Sequence, residues 1–248
     1  MEPISRKAIK GMVFAALFAA LTAAVSPVKI PLGFTPVPIT LQTIMVLLSG
    51  AMLGPWYGAL SMAIYLLLGA LGLPVFAGGG SGIASLLGPS GGYLFSYPLA
   101  AFVVGYLAQK RTTNALVRFA SFALVQLLIL IVTIDAMLGM GWLAFITKLS
   151  STFRAVLAVV GLLLLFGMLA LLIYGKKSKA LSPPMVLAMY AGTLVIYVLV
   201  AIQCKIVTGT PWPGIFLGWV LPFIIGDTVK LVIAASIAGK VKMEKYLR

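Results

Sequence analysis

The sequence predicts an all-α integral membrane protein, and three observations lead there. Hydrophobic residues make up 62% of the chain and charged residues 9%, with a mean hydropathy of +1.16; soluble domains carry about 25% charged residues. Apolar stretches recur at about 11–25, 39–53, 56–73, 92–108, 115–135, 154–174, 185–203 and 215–238, against the roughly 20 residues a helix needs to cross the hydrocarbon core. Basic residues fall in short clusters between these stretches, as cytoplasmic loops of membrane proteins do. The net charge of +14 therefore does not mark a nucleic-acid surface, which needs a basic stripe interleaved with aromatics.

The first stretch follows Arg6, Lys7 and Lys10. It reads as a signal anchor; a cleaved signal peptide ending near Thr22-Ala23-Ala24 is the alternative. Alanines at 15, 16, 19, 20, 23 and 24 run down it as two rows of small residues, which let another helix approach closely. Packing within the chain accounts for such rows, and so does docking of Ala16, Ala20 and Ala24 on a partner membrane subunit. Residues 26–38 hold Pro27, Pro31, Pro36 and Pro38, too many for a helix and stiff enough for a fixed flap. The second and third stretches are short and separated only by Gly54-Pro55, which predicts a tight helical hairpin. Ala77-Gly78-Gly79-Gly80-Ser81-Gly82 lets a ligand approach the main chain. It reads as a ligand-covering cap, with a plain flexible loop as the alternative.

Eight crossings with both ends in the cytoplasm satisfy the charge distribution. Arg6, Lys7, Lys10, Lys110, Arg111, Arg118, Lys176, Lys177, Lys179, Lys240, Lys242, Lys245 and Arg248 then lie inside, against Lys29, Lys148, Arg154 and Lys205 outside. The positive-inside rule favours this orientation and puts both unusual loops outside.

Lys230 remains, within the last apolar stretch, one turn from Asp227 in a chain with four acidic residues. Charges at that depth cost several kcal/mol (roughly) unless partnered and mark functional sites by default. Three apart, the two share a helix face and can line one pocket wall; a mutual ion pair that fixes helix packing is the plainer reading. Asp135 reads as an interfacial residue paired with Lys148 or water.

Other chemistries find little support. Gly88-Pro89-Ser90-Gly91 fits the Gly-x-Ser-Gly pattern of rhomboid-type intramembrane proteases, with Ser90 as nucleophile. A serine needs an adjacent base, the chain has no histidine, and only a Ser-Lys arrangement with Lys230 is left. No Gly-x-x-x-x-Gly-Lys-Ser/Thr loop is present to cradle phosphates, so energy for any active transport would come from another subunit or a gradient. The single Cys204 excludes an internal disulfide and, with no histidine, gives no metal-ligand pattern.

Four separated motifs stand out in order: Thr35-Pro36-Val37-Pro38-Ile39-Thr40-Leu41-Gln42-Thr43 followed by Leu53-Gly54-Pro55, the run from Gly69 to Gly79, Leu87 to Leu94, and Pro222 to Lys230. Together they resemble the BioY family, the biotin-capturing S components of energy-coupling-factor (ECF) transporters. The resemblance covers about 1–110 and 186–245 of a single transmembrane domain, 1–248. It implies a six-helix bundle in the cell membrane that binds biotin from outside and works with a coupling membrane subunit and two cytoplasmic ATPases, with biotin as cargo and no cofactor. It implies that Lys230 pairs with the valerate carboxylate and Asp227 accepts from the ureido N–H groups. Tyr93, Tyr65 and Phe76 are then apolar packing surfaces, and Gln42, Gly79 and Ser90, within matched motifs, join the site. The glycine loop lacks the asparagine of some family members, so Ser81 or backbone groups take that contact. Eight crossings against six imply an additional helix pair within about 112–184, although Leu138-Gly139-Met140-Gly141-Trp142 also looks like a family fifth-helix ending. An S component for another small vitamin is the nearest alternative; an intramembrane hydrolase using Ser90 is the remote one.

Overall fold

A computed structural model describes residues 6–32, 37–109, 126–135 and 183–241, together with Ala123 and scattered positions between 151 and 165. Most of 112–184 lies outside the described residues, including the 138–142 motif, Lys148 and the 176–179 cluster, as do Lys110, Arg111, Arg118, Pro36 and the basic residues beyond Lys240. The described chain is helical apart from one two-stranded ribbon.

Helix α1, Arg6–Val25, ends where Ser26 turns its hydroxyl back to the Thr22 carbonyl at 2.6 Å and Pro27 follows. Its buried residues include Ala15 and Ala19, whereas Ala16, Ala20 and Ala24 are exposed. The two alanine rows therefore divide, one packing within the chain and one facing outward.

The proline-rich stretch forms a small antiparallel ribbon, β1 (Lys29–Ile30) with β2 (Ile39–Thr40), in register Lys29 opposite Thr40. Proline cannot continue a helix, and the ribbon lays Val37, Pro38 and Thr40 across the top of the bundle.

Helix α2, Gln42–Ala70, breaks at Gly54, whose φ of 83° and ψ of −178° lie outside the helical region. A residue with a side chain is strained at that φ, and Pro55 restarts the helix without needing a partner for the missing N–H. The arms fold back on each other: Gln42 Nε2 donates to the Tyr65 hydroxyl at 2.8 Å, and a Cβ on Gly58 would sit 2.8 Å from the Cα of Gly50. The hairpin expected from Gly54-Pro55 is present. At 1.5 Å per residue its arms, 42–53 and 55–70, reach only about 18 and 24 Å, short of a 30 Å core. The irregular turn is therefore at membrane depth, where it needs protein around it. Helix α4, Gly91–Gln109, supplies that cover, with Gly105 against Gly54 and Pro55 and Gln109 against Gly54.

Between the hairpin and α4 lie a short 3-10 turn, Ala77–Gly79, and helix α3, Gly82–Leu87. Helix α5, Gln126–Asp135, is a ten-residue apolar helix within the segment expected to hold the additional pair. It packs Ile129 and Val132 into the core with Tyr190 and Ile225. Asp135 is fully buried there rather than at an interface, alongside the buried Ile129 and Val132 of the same helix. Helix α6 (Pro183–Thr208), the four-residue α7 (Trp212–Ile215), a π-helical turn (Phe216–Val220) and α8 (Leu221–Lys240) complete the described chain. Five described helices are long and apolar enough to cross a membrane. With the α2 arms counted separately they make six rods of a multi-pass membrane protein.

The core forms two apolar clusters, one including Leu47, Leu53, Ala234 and Ala238, the other including Tyr65, Phe76, Tyr93, Trp219 and Phe223 at the end away from the Gly54 turn. That end is where the polar side chains gather.

Tight packing at the hairpin predicts asymmetry among glycines. Gly105→Ala should lower stability by about 1–3 kcal/mol through overpacking, since its Cβ would meet the Gly54–Pro55 backbone. Gly226→Ala meets nothing within 4 Å and should leave the thermal midpoint in detergent unchanged or raised. Equal midpoints for the two variants would contradict this packing.

Candidate ligand site

Asp227 and Lys230 face the same side of α8, 5% and 9% exposed, with Lys230 Nζ donating to Asp227 Oδ1 at 2.8 Å. A carboxylate taken from water needs several donors. Tyr197 on α6 donates its hydroxyl to Oδ2 at 3.0 Å, and Thr43 on α2 reaches Oδ1 at 3.5 Å. Three helices thus converge on one buried carboxylate. The π turn before α8 shapes the neighbouring wall, since the Trp219 carbonyl there accepts from the Tyr93 hydroxyl at 2.7 Å. Such turns loosen the helical ladder and recur at functional sites.

The pair lies on the wall of a cavity of about 170 Å³. The ribbon covers one side through Val37, Pro38 and Thr40; the glycine-rich segment covers the other through Phe76, Ala77, Gly80, Ser85 and Gly88. Phe76 seats against Gly69, which leaves room by having no side chain, and meets the Tyr65 ring edge-on at 5.6 Å. Gln203 on α6 fixes the base of α3, its Nε2 donating to the Leu86 carbonyl at 2.7 Å and the Gly88 carbonyl at 3.0 Å. At the other base, the Gly78 N–H donates to the Ser26 carbonyl at 3.4 Å. The glycine-rich segment is therefore a tethered cap, not a plain loop.

Of the residues singled out from the sequence, Asp227, Lys230, Tyr93, Ser90, Phe76 and Gln42 line this cavity. Tyr65 stands one layer behind, its hydroxyl bonded to Gln42, Ser26 and the Val75 carbonyl. Gly79 and Ser81 flank the cavity without lining it. Ser81 precedes α3 and its carbonyl accepts from the Ser85 hydroxyl at 2.8 Å, so Ser85, one turn on, takes the place on the wall. The nucleophile reading fares poorly, because the Lys230 ammonium is engaged by Asp227 rather than left as a base for Ser90.

The sequence reading did not single out Thr43, Ser85, Tyr97, Tyr197 or Phe223 for the site, although Thr43 and Phe223 lie within its matched motifs. Tyr97 was within reach, since it lies one turn after Tyr93 on the same face of α4. Tyr197 carried no such signal, lying in a uniformly apolar stretch and meeting Asp227 only through the fold.

With this geometry in hand, known proteins place the chain. The sequence model of the BioY family matches residues 2–181 and 158–245. The probable biotin transporter BioY of Pyrococcus horikoshii is 52% identical over 90 residues, 36% of this chain and 54% of that protein. The biotin transporter BioY of Thermotoga maritima is 49% identical over 107 residues, 43% and 62% of the two chains. That of Rhizobium etli is 40% identical over 147 residues, 58% and 78%. The chain thus spans between half and two thirds of the length of the first two relatives. The crystal structure of an S-component for biotin from an ECF-type ABC transporter superposes with a TM-score of 0.61 at 23% identity, over 99% of this chain and 100% of that one, so the two share a fold. With family matches running over nearly its whole length, this chain belongs to the BioY family.

Proposed function

We propose that this protein captures biotin outside the cell and passes it across the cell membrane with an ATP-driven energy-coupling module. The observation that carries the reading is the buried Asp227–Lys230 pair on the wall of a capped cavity. Lysine has three donors, so Lys230 can hold Asp227 and still offer a cation to the valerate carboxylate. Asp227 is an acceptor suited to ureido N–H groups, and Phe76, Tyr93 and Phe223 offer apolar surface for the rest of the ligand. The names of the relatives support biotin over another vitamin.

Orientation follows from charge. Arg6, Lys7 and Lys10 begin α1 at the end where Gly11 meets Tyr57, near the Gly54 turn, and Lys240 ends α8 beyond Ala238 at that same end. The positive-inside rule makes this end cytoplasmic and opens the cavity outward. The exposed row Ala16, Ala20 and Ala24 is the surface we assign to the coupling membrane subunit, which would in turn engage two cytoplasmic ATPases; the rest of the perimeter meets lipid.

Lys230→Met should weaken biotin binding by about 2–5 kcal/mol, the loss expected when one member of a buried charge pair is removed. Biotin amide should bind the unaltered protein more weakly than biotin, and the variant should barely distinguish them. Asp227→Asn should weaken both ligands alike. Equal affinity of the unaltered protein for biotin and its amide, measured by equilibrium titration, would refute the role of Lys230.

Cysteine introduced at Ser81, after replacement of Cys204, should react with a membrane-impermeant thiol reagent in intact cells and be protected by biotin. Cysteine at Ser178 should react only after permeabilisation. Reversal of this pattern would invert the orientation.

Ala16→Leu or Ala20→Leu should leave biotin binding to the isolated protein intact while lowering copurification with the coupling module and uptake, since close helix approach needs small residues. Normal copurification and uptake in both variants would remove this face as the docking surface.

A further inference from the structure

Behind the cavity wall runs a chain of hydrogen bonds whose proton directions can be worked out from its ends. The Thr22 carbonyl can only accept, and the Ser26 hydroxyl lies 2.6 Å from it. The Val75 carbonyl can only accept, and the Tyr65 hydroxyl lies 3.0 Å from it. A hydroxyl has one proton. The two hydroxyls also lie 3.0 Å apart, so the Ser26 proton serves either the Thr22 carbonyl or the Tyr65 oxygen while the Tyr65 proton goes to Val75; in both cases Ser26 and Tyr65 accept from Gln42, whose terminal nitrogen is 2.8 Å from each. That orients the amide, with its NH2 toward Ser26 and Tyr65 and its oxygen toward the Tyr97 hydroxyl, 2.8 Å away. Amide oxygen carries no proton, so Tyr97 must supply the one between them. The reverse orientation would withdraw two protons from the Ser26–Tyr65 side, leaving buried oxygens facing one another without a donor, each at a cost of about 1–3 kcal/mol.

Gln42 is thereby saturated. Both its N–H groups are given to the protein and its oxygen accepts from Tyr97 and, at 3.3 Å, from Thr40. It sits on the wall but has no donor left for a ligand. Tyr97, which also lines the cavity, has spent its only proton and has lone pairs to present.

We infer that Tyr97 is a specificity-determining residue: fixed as an acceptor through Gln42, it takes a ligand N–H and rejects an oxygen in the same place. Together with Asp227 it gives the cavity two acceptors on different helices, α4 and α8, a pairing that suits a cyclic urea with two N–H groups. The inference rests on the biotin reading for the identity of the ligand, and deepens it by naming what discriminates the ring.

The test is equilibrium titration of the purified full-length protein with biotin and with two cyclic carbamates, in each of which a ring oxygen replaces one ureido N–H. The unaltered protein should bind both carbamates at least tenfold more weakly than biotin, about the loss of one hydrogen bond. Tyr97→Phe should narrow the gap to about threefold for the isomer whose oxygen meets Tyr97, chiefly by weakening biotin, and leave the gap for the other isomer, which meets Asp227. Gln42→Met frees the Tyr97 proton to turn toward the cavity and should narrow the same gap by strengthening that carbamate. A merely structural role would weaken all three ligands in parallel, so unchanged biotin-to-carbamate ratios for both isomers in both variants would overturn the inference. Failure of the unaltered protein to bind biotin at all would sink the proposed function, and the inference with it.

Discussion

An ammonium and a carboxylate held 2.8 Å apart inside an apolar bundle set the terms for the rest of this molecule. Removing two charges from water costs several kcal/mol each (roughly), and their attraction offsets this only with good geometry and further hydrogen bonds. Asp227 meets that condition by drawing on α2 and α6 as well as its own helix. Tyr197 matters most, because it occupies the oxygen that Lys230 leaves free. The arrangement keeps Lys230 partnered without using all its donors.

The helical hairpin is the second constraint. Because its turn stops short of a full crossing, the turn has to be enclosed, and Gly50 and Gly105 allow the α4 backbone to come close enough to do so. The same close approach brings Tyr97 to Gln42 at the other end. Packing at the Gly54 end and polarity at the cavity end are therefore not independent. Small residues in one set the helix spacing on which hydrogen bonds in the other rely.

Much of this was legible in the sequence where a single local rule decides. Gly54-Pro55 can do little but turn, the prolines of 26–38 exclude a helix, and two charges three apart in an apolar run must share a face. The site was legible in its charged members and less so in the rest. Ser81 and Ser85 are equivalent by composition, and only the start of α3 decides which one reaches the cavity. Gln203 and Tyr197 look alike as polar residues in a long apolar helix, yet one ties down the cap and the other holds Asp227. Asp135 was misjudged because its position along α5 says nothing of how deeply α5 packs. Gln42 was recognised as part of the site, but its saturation appears only when partners 16, 23 and 55 residues away are brought together.

Both covers of the cavity hang from one place. The ribbon begins four residues after α1 ends, and the cap is tied to the Ser26 carbonyl through Gly78. Helix α1 is also the element with an outward row of alanines, 16, 20 and 24, on its flank. A 20-residue helix is about 30 Å long, so it is a lever arm: a tilt of roughly 10° about one end carries the other some 5 Å, more than the reach of the hydrogen bonds that hold the covers. Because both covers are anchored at the tip of α1, where that one helix end lies sets how both sit over the cavity.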